Sequence, residues 1–304
     1  MILMLSLQRN LFLMSTILVT GAGGQLGSEM RLLSKGLGNF IFTDVAASEG
    51  VEPLDICSAG DVENFFTRHN VDFVVNCAAY TNVNGAESNE ALCRRINVDG
   101  PVNLARSAKK HGAALIQIST DYVFDGNRKR GSYREDNACH PQSVYGATKR
   151  ECELKLRRIG CKGVIIRTAW LYSTFGNNFV KTMLKLGTDR KEIGVVADQF
   201  GTPTYARDLA KAIMKILPQI GDRRCEIFHY TNEGVCTWFD FSAMIMSYAG
   251  LDCKVNPLTT DEYPTPAARP AYSVLSKEKI RETFGVETPW WNVSLKSCLK
   301  ELGY

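Results

Sequence analysis

The sequence predicts an α/β fold. Short apolar runs rich in β-branched residues alternate with helical patterns through the first half of the chain, as parallel strands buried on both faces do. The segment Gly21-Ala-Gly-Gly24-Gln-Leu-Gly27 follows the first apolar run and precedes the first helix, which is the position of a dinucleotide-binding loop. Together these observations predict a Rossmann-type, doubly wound parallel sheet, followed by a smaller C-terminal α/β substrate domain.

Each element follows from its local pattern. The predicted strands are residues 16–20, 40–43, 73–76, 114–119 and 163–167, and the helices between them are 25–36, 59–69, 88–111 and 145–158. After Trp170 the regular alternation of strand and helix patterns ends. Helices are predicted near 178–187, 206–217 and 237–250, with a strand near 225–231 and a proline-rich stretch at 257–270.

The end of the regular strand–helix alternation after Trp170 predicts two domains. The dinucleotide-binding domain is expected at 14–168, rejoined by about 195–232, and the substrate-binding domain at 169–194 and 233–304. Residues 1–13 are expected to be an extension before a functional domain that opens at Met14. Their apolar residues are interrupted by Gln8-Arg-Asn10, which is not the order of a signal peptide.

Composition narrows the class of partner. The net charge of +4 is spread along 304 residues, so no nucleic-acid surface is predicted. No segment approaches the roughly 18 apolar residues of a membrane span. Ten cysteines without a Cys-x-x-Cys motif indicate reduced thiols and a cytoplasmic location. A monomer and a homodimer are equally compatible with the sequence.

The glycine loop predicts how a cofactor is held. Glycines allow the backbone to approach a pyrophosphate, and the following helix N-terminus offers free N–H groups. Asp44 ends the second strand about 20 residues past the loop, where an acidic group meets the adenosine ribose. Its carboxylate would favour NADH and repel a 2′-phosphate; the alternative is a simple turn residue. Asp55 and Ile56 are expected to border the adenine.

Tyr145 and Lys149 are the predicted catalytic pair. Four residues apart on one helix, they share a face. An ammonium beside a phenol favours the phenolate, so the pKa of Tyr145 is expected to fall from about 10 toward neutrality. Thr120 ends a buried strand at the carboxyl edge of the sheet, where its hydroxyl can bond a substrate carbonyl oxygen. A simple helix cap is the alternative for Thr120.

These elements together resemble the extended short-chain dehydrogenase/reductase family. The resemblance covers about residue 15 to the C-terminus. Its finer motifs are Gly24-Gln-Leu-Gly27, Asn76-Cys-Ala-Ala-Tyr-Thr-Asn-Val83, Ser119-Thr-Asp-Tyr-Val-Phe-Asp-Gly126, Tyr145-Gly-Ala-Thr-Lys149, Arg167-Thr-Ala-Trp170, Phe175-Gly-Asn-Asn-Phe-Val180, Asp198-Gln-Phe-Gly-Thr-Pro-Thr204, Ala206-Arg-Asp-Leu209 and Ala268-Arg-Pro270.

The resemblance implies hydride transfer from NADPH or NADH to the C4 ketone of a 6-deoxy-4-ketohexose nucleotide, a dTDP-sugar. Tyr145 would donate the proton, Lys149 would hold the nicotinamide ribose, and Thr120 would orient the ketone. The predicted cofactor-binding residues are Gly21, Gly24, Gln25, Leu26, Gly27, Asp44, Val45, Asp55, Ile56, Ala78, Ala79, Tyr80, Asn97, Tyr145 and Lys149. The predicted substrate-binding residues are Thr81, Val83, Thr120, Asp121, Tyr122, Trp170, Asn178 and Arg269, the last two for the diphosphate.

Several alternatives stay open. Related dehydratases place a glutamate after the Thr-Asp pair, whereas this chain has Tyr122, so a dehydratase would lack its base. Other nucleotide-sugar reductases, epimerases, and a non-catalytic subunit resembling the beta subunit of methionine adenosyltransferase remain possible. Some relatives bind Mg²⁺ at a dimer contact, and Glu29 matches that position. One carboxylate is a poor metal site, so Glu29 is expected to be a surface residue and no metal site is assigned.

Overall fold

A computed structural model describes residues 12–304. Its strands are β1 Thr16–Thr20, β2 Asn39–Asp44, β3 Glu52–Pro53, β4 Phe73–Asn76, β5 Ala114–Thr120, β6 Lys162–Thr168, β7 Leu171–Tyr172, β8 Glu192–Val196, β9 Phe200–Gly201, β10 Thr204–Tyr205, β11 Arg224–His229, β12 Cys236–Thr237 and β13 Lys254–Leu258. Seven of them form one sheet of order β11-β6-β5-β4-β1-β2-β3, with every neighbouring pair parallel. The predicted Rossmann-type parallel sheet is confirmed.

Helices cover both faces of this sheet. In chain order they are α1 Gln25–Leu33, α2 Ala59–His69, α3 Val83–Ser88, α4 Glu90–Arg94, α5 Gly100–His111, α6 Val144–Ile159, α7 Phe179–Asp189, α8 Ala206–Ile216, α9 Trp238–Ala249, α10 Glu278–Phe284 and α11 Trp291–Glu301. Helices α1, α8 and α10 pack on one face, and α2, α5 and α6 on the other. The sheet is therefore the middle of three layers.

Strand β1 shows why the strands read as continuous apolar runs. Ile17 and Val19 point into the core beneath α1 and α8, whereas Leu18 points into the core beneath α2 and α5. Side chains alternate between the two faces of a strand, and here both faces are buried. The strand order reverses between β1 and β4, which creates the switch point where ligands bind in open α/β sheets.

The C-terminal part has its own core. Tyr172, Phe241, Ile245 and Leu295 are buried together where α7, α9 and α11 meet. Strand β8 pairs with β13, while β11 is the edge strand of the central sheet. The domain boundaries drawn from the sequence stay a prediction.

Two segments differ from the sequence-based expectation. The helix predicted at 88–111 is interrupted by a π-helical turn, Arg95–Asp99, between α4 and α5. Of the predicted extension, residues 1–11 lie outside the described part of the chain. Phe12 is buried and its ring lies 5.8 Å from that of Phe40, so packed structure begins before Met14. No helix within residues 12–304 is long and apolar enough to cross a bilayer.

Candidate active site

Buried polar side chains tie the carboxyl ends of three neighbouring strands together. The Thr20 hydroxyl donates to Asn76 Oδ1 at 2.6 Å, and Asn76 Nδ2 donates to Gln117 Oε1 at 2.7 Å. These residues belong to β1, β4 and β5. Because all three side chains are buried and paired, the strand ends form a rigid floor beside the glycine loop.

The glycine loop is folded tightly against that floor. Gly21 has φ +67°, and a Cβ there would collide with the backbone of Ala78 after β4. A Cβ on Gly27 would overlap the carbonyl oxygen of Gly21. Helix α1 starts after Gly24 without a side-chain cap, so its first N–H groups face the loop unpaired by any capping side chain. This is the geometry of an anion-binding helix N-terminus.

Asp44 supports the loop from the end of β2. Its Oδ2 accepts the Gly23 N–H at 2.9 Å, and its Oδ1 accepts the Val45 N–H at 2.8 Å. The side chain of Val45 is exposed. The predicted ribose-binding carboxylate is thus beside the predicted pyrophosphate loop, and each of its oxygens retains a lone pair for a further donor.

Other predicted cofactor residues surround this edge. Ile56 is buried against Gly100, while Asp55 pairs with Arg95 at 3.2 Å. Asn97, in the π-helical turn, accepts the Tyr80 N–H at 2.8 Å and donates to the Tyr80 carbonyl oxygen at 3.1 Å. Asn97 therefore holds backbone rather than presenting a free amide. The sequence offered no sign of this turn, although π-turns recur at functional sites.

Unpaired buried oxygens support a ligand at this edge. Among residues 12–304, Gln25 Oε1, Asn84 Oδ1 and Asp121 Oδ2 are buried without a hydrogen-bond partner. Gln25 opens α1, Asn84 lies in α3 after β4, and Asp121 follows β5. Since buried polar groups are normally paired, a polar ligand fits here. The residues present suit a dinucleotide.

The predicted catalytic helix begins where β5 ends. Ser143 caps α6 by accepting the Gly146 N–H at 3.2 Å. Gly146 lies against the carbonyl of Tyr122 so closely that a Cβ would overlap it. The rings of Tyr122 and Tyr145 meet edge to face with centroids 5.6 Å apart. The close approach at Gly146 thus brings Tyr145 to the carboxyl end of β5, where the Thr120 side chain lowers the pKa of the phenol.

The expected lowering of the Tyr145 pKa is wrong for this structure. Burial raises the pKa of Tyr145, and Asp121 raises it further, against the lowering effect of the nearby Thr120 side chain. Lys149 is buried, and its Nζ donates to the Ile118 carbonyl oxygen at 2.7 Å. Burial lowers the pKa of Lys149. Desolvation of the phenol is therefore the largest effect on the pKa of Tyr145.

Asp121 is a second unusual acid in the site. Burial raises its pKa from 3.8 to about 6, although Ser273 and Thr120 act in the opposite direction. The Thr120 hydroxyl lies 3.1 Å from Asp121 Oδ1 and also accepts the Tyr122 N–H. Thr120 is therefore a local cap, as the alternative expectation had it, and its contact with a substrate carbonyl oxygen stays a prediction.

Two of the predicted substrate residues meet at the far side of Tyr145. Arg269 donates from Nη1 to the Tyr122 hydroxyl at 3.2 Å. Arg269 is only half-buried, so part of its guanidinium remains available to an anion. Thr81 is exposed and Val83 half-buried at the start of α3.

Trp170 adopts a backbone conformation that is rare for a bulky residue. Its φ is +47°, a conformation that costs energy and that clusters at active sites and ligand clamps. Its ring stacks on Trp238, with centroids 3.5 Å apart and planes at 10°. Asn178 caps α7 and donates to the Ser173 carbonyl oxygen at 2.7 Å, so its amide serves its own loop.

The metal-binding hypothesis for Glu29 is not supported, and the expectation of a surface residue is wrong. Glu29 is fully buried. Its Oε1 accepts the Ser173 hydroxyl at 2.6 Å and its Oε2 accepts Arg207 Nε at 2.8 Å. Arg207 also pairs with Glu301. Within the described residues no group of three acidic, histidine or cysteine side chains could hold a metal ion.

Sequence reasoning missed two residues of this region. Trp238 stacks on Trp170 from a distant helix, and no local pattern marked it. Glu153 accepts the Ser119 hydroxyl and pairs with Arg167. The sequence could have predicted that Glu153 lies on the same helix face, because it follows Lys149 by one helical turn and Tyr145 by two.

The fold and the site define the class of protein: a nicotinamide-dependent oxidoreductase on a Rossmann-type sheet. The RmlD substrate binding domain matches residues 14–304. The dTDP-4-dehydrorhamnose reductase of Aggregatibacter actinomycetemcomitans is 39% identical over 293 residues, which cover 93% of this chain and 98% of that protein. The chain therefore belongs to the RmlD substrate-binding domain family.

Solved structures agree with this assignment. A dTDP-4-dehydrorhamnose reductase from Clostridium acetobutylicum has 43% identity and a TM-score of 0.89, covering 95% of this chain and 100% of that one. The reductase of Bacillus anthracis in complex with NADP has 36% identity and a TM-score of 0.87, covering 94% of this chain and 99% of that one.

Proposed function

We propose that this chain reduces the C4 ketone of dTDP-6-deoxy-L-lyxo-4-hexulose (dTDP-4-dehydrorhamnose) to dTDP-L-rhamnose, using NADPH or NADH. The observation that carries the proposal is the close approach of Gly146 on α6 to the backbone of Tyr122 after β5, which leaves no room for a Cβ. It brings the neighbouring Tyr145 phenol to the carboxyl end of β5, where Thr120 lowers its pKa. Relatives that match nearly the whole chain bear the name of this reaction.

The chain's own residues would hold the cofactor at the switch point. When bound, the nicotinamide supplies the hydride. The loop from Gly21 to Gly27 and the N-terminus of α1 would bind the pyrophosphate, because N–H groups and the helix dipole favour an anion there. Asp44 would accept from the adenosine ribose, and Lys149 would hold the nicotinamide ribose.

Tyr145 would act as the proton donor. Because burial raises its pKa, the phenol is fully protonated at neutral pH. Hydride addition at C4 turns the carbonyl oxygen into an alkoxide, which is far more basic than a phenolate. The proton passes from the Tyr145 hydroxyl to that oxygen, while Thr120 holds the oxygen in place. The resulting phenolate recovers a proton from solvent, and the Lys149 ammonium favours it in the interval.

Cofactor preference and compartment belong to the proposal as well. The Bacillus anthracis relative binds NADP, while the Asp44 carboxylate favours NADH, so we propose that both cofactors are accepted. All ten cysteines are free thiols, most of them buried. Unpaired thiols support a reducing compartment, and we place the protein in the cytoplasm. Monomer or homodimer stays a prediction, and the partner is a dTDP-sugar.

The test is direct. Purified protein is mixed with NADPH and with dTDP-4-dehydrorhamnose generated in situ, and the absorbance of the reduced nicotinamide is followed. Absorbance should fall in step with formation of dTDP-L-rhamnose, identified by NMR. No turnover beside an active reductase would reject the proposal. NADPH binding without turnover would favour a non-catalytic subunit, and the C4 epimer as product would indicate another nucleotide-sugar reductase.

A further inference from the structure

Beneath the Tyr145–Lys149 face of α6 lies a buried carboxylate, Glu153, with no role in the reaction described above. Its side chain is 1% exposed and that of Arg167 is 0% exposed. Glu153 Oε1 accepts Arg167 Nε at 2.8 Å and the Ser119 hydroxyl at 2.7 Å. Glu153 Oε2 accepts Arg167 Nη2 and Arg150 Nη1, each at 2.8 Å. Each oxygen therefore has two donors.

These bonds join three elements of the site. Ser119 is the residue before Thr120 on β5, and Arg167 is its register partner on β6. Glu153 lies on α6, one turn after Lys149 and two after Tyr145. The carboxylate therefore links the strand that carries Thr120 to the helix that carries Tyr145. A shift of α6 along its axis would break two or more of these bonds at once.

Such a network is not expected to serve stability alone. Burying an ion pair costs desolvation free energy, which the attraction between the two charges barely offsets. Apolar residues at these positions would therefore stabilise the fold equally well. What a bidentate pair adds is a fixed geometry. Arg167 is itself held from the other side, over the Phe124 ring at 5.0 Å and with His229 Nε2 at 3.3 Å.

The charge of Glu153 also reaches Lys149. Glu153, Cys152 and Cys93 all raise the pKa of Lys149, against the larger lowering by burial. Around the carboxylate itself stand the guanidiniums of Arg150 and Arg167, with the sulfur of Cys139 and the carbonyl of Glu135 on the far side of Arg167. Removing the Glu153 charge therefore makes Lys149 lose its proton at a lower pH.

We propose that Glu153 is a positioning residue for the reduction: through Ser119 and Arg167 it sets the distance between Thr120 and the Tyr145–Lys149 face of α6. This inference rests on the proposed reductase function. Glu153 touches neither substrate nor cofactor, and acts through the residues that do.

The first test compares Glu153→Gln with Glu151→Gln. Glu151 lies on the same helix, is partly exposed and pairs with Arg94 and Lys155, so it controls for the loss of a charge on α6. Glu153→Gln should lower kcat about ten- to a hundredfold, as a misplacement of catalytic groups does. NADPH affinity at neutral pH should stay within about twofold. The loss of NADPH affinity at alkaline pH should move to lower pH, because Lys149 loses its proton earlier. A purely structural role would not produce this shift. Glu151→Gln should match the wild type.

The second test is Ser119→Ala, which keeps the ion pair and its charge. It removes one hydroxyl, so folding is expected even if Glu153→Gln fails to fold. Here kcat should fall several-fold while the NADPH dissociation constant matches the wild type at every pH. Unchanged kcat in folded Ser119→Ala, or equal losses of kcat and NADPH affinity, would overturn the positioning role.

The two proposals can fail separately. A wild-type protein that does not reduce the sugar rejects the proposed function. The NADPH titrations need no sugar, and they still decide whether Glu153 acts on Lys149. Identical pH dependence of NADPH binding in wild type and Glu153→Gln would reject that part of the positioning role, while the kcat of Ser119→Ala decides the part that concerns Thr120.

Discussion

Gly146 lies directly against the backbone carbonyl of Tyr122, leaving no room for a Cβ. Helix α6 can approach β5 only because this residue is glycine, and the approach brings Tyr145 to Thr120. Gly146→Ala should push α6 outward and lower kcat by about a hundredfold or more. Circular dichroism verifies that the variant is folded, and steady-state kinetics then measures the effect on kcat.

Gly60→Ala is the matched control for Gly146→Ala. Gly60 also lies in the first turn of a helix, but nothing is within 4 Å of its Cβ position. Its replacement should leave kcat unchanged and stabilise the protein by up to about 1 kcal/mol. Equal kinetics for the two variants would show that the Gly146 contact does not position Tyr145.

Tyr145→Phe removes the proposed proton donor. We expect kcat to fall about 10²- to 10⁴-fold, the usual contribution of a general acid, with NADPH binding retained. Tyr263→Phe, at an exposed tyrosine, should have no effect. Undiminished turnover of Tyr145→Phe would assign the proton to another group.

Asp121 should reduce stability as pH rises. Its pKa is about 6 in the folded protein against 3.8 ordinarily, so the unfolded chain ionises first. The free energy of unfolding therefore falls between about pH 4 and pH 6, and it falls no further above about pH 6. Asp121→Asn should therefore be more stable than wild type at pH 8, by up to about 3 kcal/mol. At pH 4 the difference should be much smaller.

Urea unfolding at both pH values measures this difference. Asp125→Asn serves as a control of opposite sign, because the Tyr133 hydroxyl lowers the pKa of Asp125. That variant should lose stability relative to wild type as pH rises. A pH-independent effect of Asp121→Asn would mean that Asp121 ionises normally.

Asp44→Asn should change cofactor preference. Without the carboxylate, repulsion of a 2′-phosphate disappears while one side-chain oxygen still accepts the Gly23 N–H. The ratio of kcat/KM for NADPH to that for NADH should rise about tenfold, equivalent to about 1.4 kcal/mol. Strict NADPH dependence of the wild type would show that Asp44 does not exclude the phosphate.

Arg207 neutralises the buried carboxylate of Glu29. Arg207→Ala should destabilise the protein by about 3–5 kcal/mol, because it leaves a buried charge without its partner. The double variant Arg207→Ala, Glu29→Gln should recover part of this loss. Since the Glu29 oxygens are already bonded, a chelator should not change the melting temperature. A lower Tm with EDTA would reinstate a metal site.

Much of the fold was predictable because strands that are buried on both faces have continuous apolar sequences. Predicted strands such as 16–20 and 73–76 match the structure residue for residue. The strand ends then placed the glycine loop, Thr120 and Tyr145 at one edge. The π-helical turn at Arg95–Asp99 was not predictable, since α- and π-turns share the same apolar spacing over so few residues.

The electrostatics of the site could not be predicted from spacing. A Tyr-x-x-x-Lys pattern shows that two side chains share a helix face, but not how deeply each is buried, and burial decides the pKa of Tyr145. Glu29 was misjudged for a similar reason. Its partner Arg207 lies 178 residues away, so no local pattern could show that the carboxylate is covered.

Arg207 also has a consequence for motion. One guanidinium binds Glu29 on α1, beside the dinucleotide loop, and Glu301 at the last turn of α11 in the C-terminal part. Movement of α1 relative to α11 would therefore break one of the two ion pairs of Arg207, so this single side chain ties the two helices together.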